Sequence, residues 1–79
     1  MLNFSEALQE IKEGKKLQRS GWNGKGMWLI LTTIYSHSIE QEGHSTVYVP
    51  FITMKTADNK FVPWLASPTD ILADDWIIV

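Results

Sequence analysis

The sequence predicts an α+β fold: one N-terminal helix packed on an antiparallel sheet of about five strands, with a short helical turn before the last strand. Three observations predict it. Apolar residues recur at helical spacing near the start of the chain. Short apolar runs separated by turn residues follow, as in an antiparallel sheet. The length of 79 residues suits a single domain, which we expect to span residues 1–79.

The N-terminal helix is predicted over residues 4–13, where apolar residues follow one another at i, i+4 and i+7. Asn3 and Glu6 have the spacing of a capping box, with Asn in place of the usual Ser or Thr. Gly14 is typical of the residue just beyond a helix, because glycine adopts the left-handed conformation at no steric cost.

Strands are predicted over residues 17–22, 27–34, 46–55, 61–64 and 76–79. Asn23-Gly24 is a strong signal for a tight hairpin turn between the first two. The polar residues 35–45 predict a long loop or a weak hairpin extension. Pro50 places its strand at an edge or a bulge, because proline donates no backbone hydrogen bond.

A second, short helix is predicted before the last strand. Ser67, Pro68 and Asp70 follow one another as N-cap, N1 and N3 residues. The turn is expected to reach about Ala73.

The strand over residues 27–34 predicts assembly of several copies. Alternate residues on both of its faces are largely apolar, whereas one amphipathic helix covers only one face. A core built from so short a chain without disulfides is also marginal. We therefore expect a homo-oligomer.

Composition excludes several classes of protein. The net charge of −2 at pH 7 provides no basic surface for duplex nucleic acid. The longest apolar run, residues 27–31, is too short to cross a membrane. The first residues lack the basic and apolar regions of a signal peptide, and the absence of cysteine fits the cytoplasm.

Catalysis finds little support in the sequence. His37 and His44 lie seven apart in a polar segment, without an acidic residue at the spacing of a metal site. Asp70, Asp74 and Asp75 could form an acid cluster, but Asp70 is better explained as a helix N3 residue, and Asp74 and Asp75 as a solvated end. No nucleophile motif is present, and we expect no enzyme activity, cofactor or metal.

Binding of a nucleotide finds more support. Arg19 and Lys25 flank the hairpin tip and suit a phosphate, while Trp22 can stack on a base and Asn23 can bind a base or ribose edge. The alternative is a hairpin whose Trp22 packs into the core.

The segment around the second helix offers similar groups. Trp64 precedes a turn in which Ser67, Thr69 and Asp70 present polar side chains. The carboxylate of Asp70 suits a ribose hydroxyl or an exocyclic amine better than a bare phosphate. Packing in the core is the alternative for Trp64 and also for Trp76.

Seven segments carry a resemblance to a known family, in the same order over nearly the whole chain: residues 3–8, 14–16, 19–27, 54–58, 62–67, 69–73 and 75–76. The most specific motifs are Gly-Trp-Asn-Gly-Lys-Gly at residues 21–26 and Val-Pro-Trp-Leu-Ala-Ser at residues 62–67. On these motifs the chain is similar to the second family of phage Thoeris anti-defence proteins, the sponge family. Residues 35–45 match it poorly.

This resemblance implies a non-enzymatic function in the cytoplasm of an infected bacterium. Such proteins bind a cyclic ADP-ribose isomer made by a TIR-domain protein and hold it intact, so that its effector is not activated. Some members also bind cyclic dinucleotides at a separate site. The family assembles as a homotetramer with pockets between subunits.

For such a ligand we expect Trp22 or Trp64 to stack on adenine, with Arg19 and Lys25 facing the pyrophosphate. The residues expected to contact the ligand are Arg19, Trp22, Asn23, Lys25, Trp64, Ser67, Thr69 and Asp70. One alternative is a small inhibitor that docks on a host protein through exposed tryptophans. Another, disfavoured by the lack of an acid–base pair, is an enzyme that cleaves the nucleotide.

Overall fold

The structure, a computed structural model, describes residues 1–22, 26–33, 39–41, 44–46 and 49–79. Its elements are α1 (Phe4–Lys12), β1 (Leu17–Arg19), β2 (Trp28–Thr32), β3 (Ile39–Gln41), β4 (His44–Thr46), β5 (Phe51–Lys55), β6 (Phe61–Pro63), α2 (Pro68–Leu72) and β7 (Trp76–Ile78).

Five antiparallel strands form the main sheet in the order β6-β5-β2-β1-β7, and β3 pairs with β4 in a separate two-stranded sheet. The central strand β2 places Leu29 opposite Leu17 on one side and Met54 on the other. Arg19 pairs with Trp76 across β1 and β7. The predicted α+β architecture is thereby confirmed.

The first helix begins and ends as its sequence predicts. The Asn3 side chain accepts from the backbone N–H of Glu6 at 2.9 Å, and the Glu6 carboxylate accepts from the backbone N–H of Asn3 at 3.0 Å. Glu13 is the C-cap, and Gly14 follows with a φ of 91°, in the left-handed region. Two donors that would be unpaired at the helix start are thus satisfied reciprocally.

The core lies between α1 and one face of the sheet. Its fully buried side chains are Ala7, Ile11, Leu17, Leu29 and Trp76. Leu2 extends this region by bridging to Trp76, with backbone hydrogen bonds of 2.7 and 3.0 Å. Trp76, the largest of the buried side chains, therefore lies where the helix, the sheet and the N-terminal residues meet.

The opposite face of the sheet has no helix on it among the described residues. We call it the outer sheet face; its members are Trp28, Ile30, Thr32, Phe51, Thr53, Lys55, Phe61 and Pro63, which alternate with the core-facing residues and pair directly across strands. An open groove of about 530 Å³ runs over it. The hydroxyls of Thr32 and Thr53 form a hydrogen bond with each other on this face, at 2.6 Å.

All five predicted strands extend beyond the observed ones, and for two of them the difference has a physical cause. In the strand predicted over residues 46–55, Thr46 belongs to β4 and residues 51–55 form β5, while residues 49 and 50 lie outside both strands; Pro50 has no N–H for the ladder. Residues 47 and 48 lie outside the described residues. The strand predicted over residues 17–22 ends at Arg19, because the chain turns directly afterwards and the backbone N–H of Trp22 donates back to the carbonyl of Arg19.

The hairpin β3–β4 agrees with the weak hairpin extension expected within residues 35–45. The predicted Asn23-Gly24 turn lies outside the described residues. No helix in the described ranges is long and apolar enough to cross a membrane.

Candidate functional site

Three indoles gather beside α1, at the edge of the core. Trp22 and Trp64 each contact Trp76 in an edge-on arrangement, with ring centroids 5.5 and 6.0 Å apart and interplanar angles of 79° and 86°. We call these three residues the tryptophan cluster. Edge-to-face packing fixes ring orientation as well as burying area. The cluster therefore holds Trp22 and Trp64 against a fully buried partner.

Packing in the core is the alternative that the sequence left open for Trp22 and Trp64, and base stacking stays a prediction. Both are half-buried and pack against the core, so part of each side chain is still accessible. Phe4 of α1 supports the cluster, with its ring 6.3 Å from Trp64 and 5.6 Å from Trp76. Trp76 itself is a core residue, and its Nε1 donates to the backbone carbonyl of Asp70 at 3.0 Å. Two half-buried aromatic side chains thus lie in fixed orientations at the edge of the core.

A charged group lies next to the tryptophan cluster. Arg19 donates from Nε to Asp75 and from Nη1 to Asp70, both at 2.9 Å. We call Arg19, Asp70 and Asp75 the charge triad. Its side chains are between 14 and 25% exposed, so these ion pairs are only partly screened by water. The triad joins the end of β1 to α2 and to the start of β7.

Mutual hydrogen bonding keeps the triad ionised. The hydrogen bonds with Asp75 and then Asp70 raise the pKa of Arg19. The hydrogen bond from Arg19 lowers the pKa of Asp75. Burial alone would raise the pKa of Asp70, but hydrogen bonds from Ser67 and Arg19 outweigh it and hold that pKa below its ordinary value. The triad therefore carries a net charge of −1 near neutral pH.

The start of α2 uses the remaining polar groups that the sequence singled out. Asp70 accepts from the backbone N–H of Ser67 at 3.1 Å and from its hydroxyl at 2.8 Å. The Ser67 hydroxyl in turn accepts from the backbone N–H of Asp70 at 3.1 Å, and it lies 2.9 Å from the Thr69 hydroxyl. Ser67 is the N-cap and Asp70 the N3 residue, as predicted, and their reciprocal hydrogen bonds form a complete capping box with Pro68 in the first turn. Asp70 thus links the helix cap to Arg19.

Residues 2–79 match the Tad2-like family model, described as the Thoeris anti-defense 2-like domain. The chain belongs to this family. It is also 40% identical over 84 aligned positions to Thoeris anti-defense 2 of Bacillus phage SP01, an alignment that covers 99% of this chain and 94% of the relative. The resemblance identified from the sequence motifs is thereby confirmed over nearly the full length.

In this Tad2-like domain, six of the eight predicted ligand contacts lie close together. They are Arg19, Trp22, Trp64, Ser67, Thr69 and Asp70, linked through Asp70 and Trp76. Asn23 and Lys25 fall outside the described residues, and so does His37. Among the described residues, no group of three His, Cys, Asp or Glu side chains is placed to hold a metal ion.

The structure gives Arg19 a structural role that the sequence did not predict. Its guanidinium forms ion pairs with two carboxylates, so it is not an unpaired cation that is free to bind a pyrophosphate. Contact between Arg19 and a ligand stays a prediction.

Asp75 makes contacts in this region that sequence reasoning missed. The expectation that it belongs to a solvated end is wrong, because it accepts hydrogen bonds from Arg19, Ser20 and Gly21. Nothing in its local sequence signals this, since its partners lie 54 to 56 residues away along the chain. Its neighbour Asp74 is exposed, as expected.

Proposed function

We propose that this Tad2-like protein counteracts Thoeris defence by binding a cyclic ADP-ribose isomer and holding it intact. The observation that carries the proposal is the family match over residues 2–79, which includes the motifs that contain Trp22 and Trp64. Its site of action is then the cytoplasm of an infected bacterium, where such a signal is made.

The tryptophan cluster supports a nucleotide as the ligand. Stacking of a base on an aromatic side chain is worth about 1–3 kcal/mol, and it requires a ring whose face is accessible and whose position is fixed. Trp22 and Trp64 are half-buried and are oriented by contact with Trp76. Either indole, or both, would stack on the adenine. Cyclic dinucleotides, bound at a separate site, are a second ligand class under this proposal.

Polar contacts would come from around the cluster. Thr69 and Ser67 present hydroxyls at the start of α2, and Asp70 suits a ribose hydroxyl or an exocyclic amine. Asn23 and Lys25 belong to the same glycine-rich motif as Trp22, and Lys25 with Arg19 would face the pyrophosphate.

The outer sheet face supports assembly of several copies, which we propose to be a homotetramer. Phe61 is 63% exposed and Phe51 41% exposed on this face, beside an open groove of about 530 Å³. Apolar surface of this kind is stabilised by burial against a partner. Lys16 and Lys55 lie over the Trp28 ring at 4.6 and 5.8 Å and would form part of a polar rim. A ligand site between subunits is a separate part of the proposal, because the tryptophan cluster lies on the α1 side of the sheet and not on this face.

Sequestration fits the electrostatics of the site better than catalysis does. A carboxyl group that acts as a general acid near neutral pH needs a pKa that is raised toward neutrality. The pKa values of Asp70 and Asp75 are instead lowered by their hydrogen bonds, so both remain ionised. They serve the structure of the site rather than proton transfer.

A protein–protein inhibitor is the second candidate function. Leu65 is 89% exposed and Leu72 80% exposed near α2, which gives a host protein an apolar surface to dock on. The hypothesis from the sequence requires exposed tryptophans. In the structure Trp76 is fully buried, and Trp22, Trp28 and Trp64 are half-buried, so the tryptophans suit this function less well.

Heat release distinguishes these functions. Purified protein is incubated with a panel of cyclic ADP-ribose isomers, separated from free nucleotide by filtration, and then denatured by heat. We expect one isomer to be retained by the native protein and to return chemically unchanged on chromatography. Retention of no isomer would favour the protein–protein inhibitor, and recovery of opened ADP-ribose would show an enzyme.

A further inference from the structure

We propose that Asp75 is a positioning residue that fixes Trp22 for ligand binding by holding the backbone at Gly21. The role in binding rests on the proposed function, whereas the hold on the backbone does not. Asp75 would not touch the ligand. It would instead fix the position of the Trp22 indole in the ligand-free protein.

The contacts of Asp75 converge on the turn that follows β1. One carboxylate oxygen accepts from Nε of Arg19 at 2.9 Å. The other accepts from the backbone N–H of Gly21 at 3.1 Å and from the Ser20 hydroxyl at 3.3 Å. The backbone carbonyl of Asp75 also accepts from the N–H of Ser20 at 2.9 Å. The backbone bond continues the β1–β7 register by one residue, and the Asp75 side chain then binds the next N–H, that of Gly21.

The same turn determines the position of Trp22. The backbone N–H of Trp22 donates to the carbonyl of Arg19 at 3.2 Å, which closes the turn around Gly21. The indole then packs edge-on against Trp76, next to Asp75 in sequence. Asp75 therefore holds the backbone of this turn at Gly21, and the neighbouring Trp76 packs against the Trp22 side chain.

Gly21 gives an independent indication that the approach of the carboxylate matters. A Cβ at this position would lie 3.1 Å from the nearer carboxylate oxygen of Asp75. That is closer than ordinary van der Waals contact. The backbone of Gly21 is not in the left-handed region, so space beside Asp75, rather than backbone conformation, is what a larger residue would disturb.

The chemistry of the contact requires a carboxylate. Two N–H donors, from Arg19 and Gly21, each point at a separate oxygen. An asparagine has the same shape but only one acceptor oxygen, and its NH₂ group would face the other donor. Asp75→Asn therefore breaks one of the two bonds whichever way its amide is turned. Asp74 has the same charge, is exposed and makes none of these contacts, so Asp74→Asn is a matched control.

The experiment measures two properties of wild type, Asp75→Asn and Asp74→Asn. The first is amide hydrogen exchange at Gly21 and Trp22, with the indole chemical shift of Trp22, in the ligand-free protein. The second is the affinity for whichever cyclic ADP-ribose isomer the wild type retains. We expect Asp75→Asn to shift the indole signal, speed exchange in the turn and weaken binding roughly tenfold, as for loss of one charge-assisted hydrogen bond. Asp74→Asn should match the wild type in both measurements.

Each outcome has a distinct meaning. Unchanged exchange and indole shift in folded Asp75→Asn would overturn the proposed hold on the turn. Altered exchange with unchanged affinity would overturn the positioning role in binding. Failure of the wild type to bind any isomer would remove the proposed function and the binding role, while the exchange data would still decide the structural part. If Asp75→Asn does not fold, Gly21→Ala replaces it, because it keeps the charge and crowds only the carboxylate; an Ala variant that binds like wild type would equally overturn the proposal.

Discussion

Removing the cation of the charge triad should destabilise the protein far more than removing an exposed one. Arg19→Met keeps most of the apolar stem but leaves Asp70 and Asp75 without their shared partner. Breaking a buried ion pair costs about 3–5 kcal/mol, because the remaining charge stays desolvated. The triad side chains are 14–25% exposed, so part of that cost is relieved by water.

From these figures we expect Arg19→Met to lower the free energy of unfolding by about 2–3 kcal/mol. For a domain of this size, that corresponds to a fall in melting temperature of roughly 8–24 °C. The assay is thermal or urea unfolding at one fixed protein concentration, since assembly would make stability depend on concentration.

The matched control is Lys60→Met. Lys60 pairs with Asp58 at 3.2 Å in the turn before β6, but both side chains are well exposed. Exposed pairs of this kind contribute little to stability, so the control should unfold like the wild type. Equal stability of Arg19→Met and Lys60→Met would refute the argument that burial makes the triad structurally important.

Three further predictions concern acid, stacking and assembly. The pKa values of Asp70 and Asp75 are lowered in the folded state, so their contribution to stability is present above the unfolded pKa of about 3.9 and is lost as the pH falls through the folded values. Acid unfolding should therefore begin near pH ~4. In Arg19→Met, the free energy of unfolding should depend less steeply on pH. Trp22→Ala or Trp64→Ala should weaken nucleotide binding roughly 5- to 150-fold with assembly size unchanged, as measured by calorimetry and light scattering; normal binding by both would refute stacking. Phe61→Glu, which places a charge on the outer sheet face, should shift light scattering toward the 9.0 kDa protomer, and a wild type that is already monomeric at micromolar concentration would contradict the proposed assembly.

Local sequence chemistry accounts for the parts of the fold that were predicted well. The capping boxes of α1 and α2 each depend on residues three apart, Asn3 with Glu6 and Ser67 with Asp70, so spacing alone reveals them. The strand bounds were harder. Pro50 indicates an edge or a bulge, but the sequence does not show that β4 pairs with β3 in one sheet whereas β5 pairs with β2 and β6 in another.

The candidate site was predicted by residue type more than by contact. Trp22, Trp64 and Asp70 were singled out, and the structure brings them together around Trp76. The ion pairs of Arg19 could not be predicted, because they depend on the pairing of β1 with β7. That register places Arg19 opposite Trp76 and so brings it to Asp75, 56 residues away.

A time course of ligand depletion tests the central claim most directly. A fixed amount of protein is mixed with excess of the cyclic ADP-ribose isomer that it retains, and free nucleotide is followed by chromatography at several protein concentrations. Sequestration predicts rapid depletion to a plateau that scales with protein concentration and does not exceed one ligand per site. Depletion that continues past that plateau, with ADP-ribose accumulating, would contradict the account.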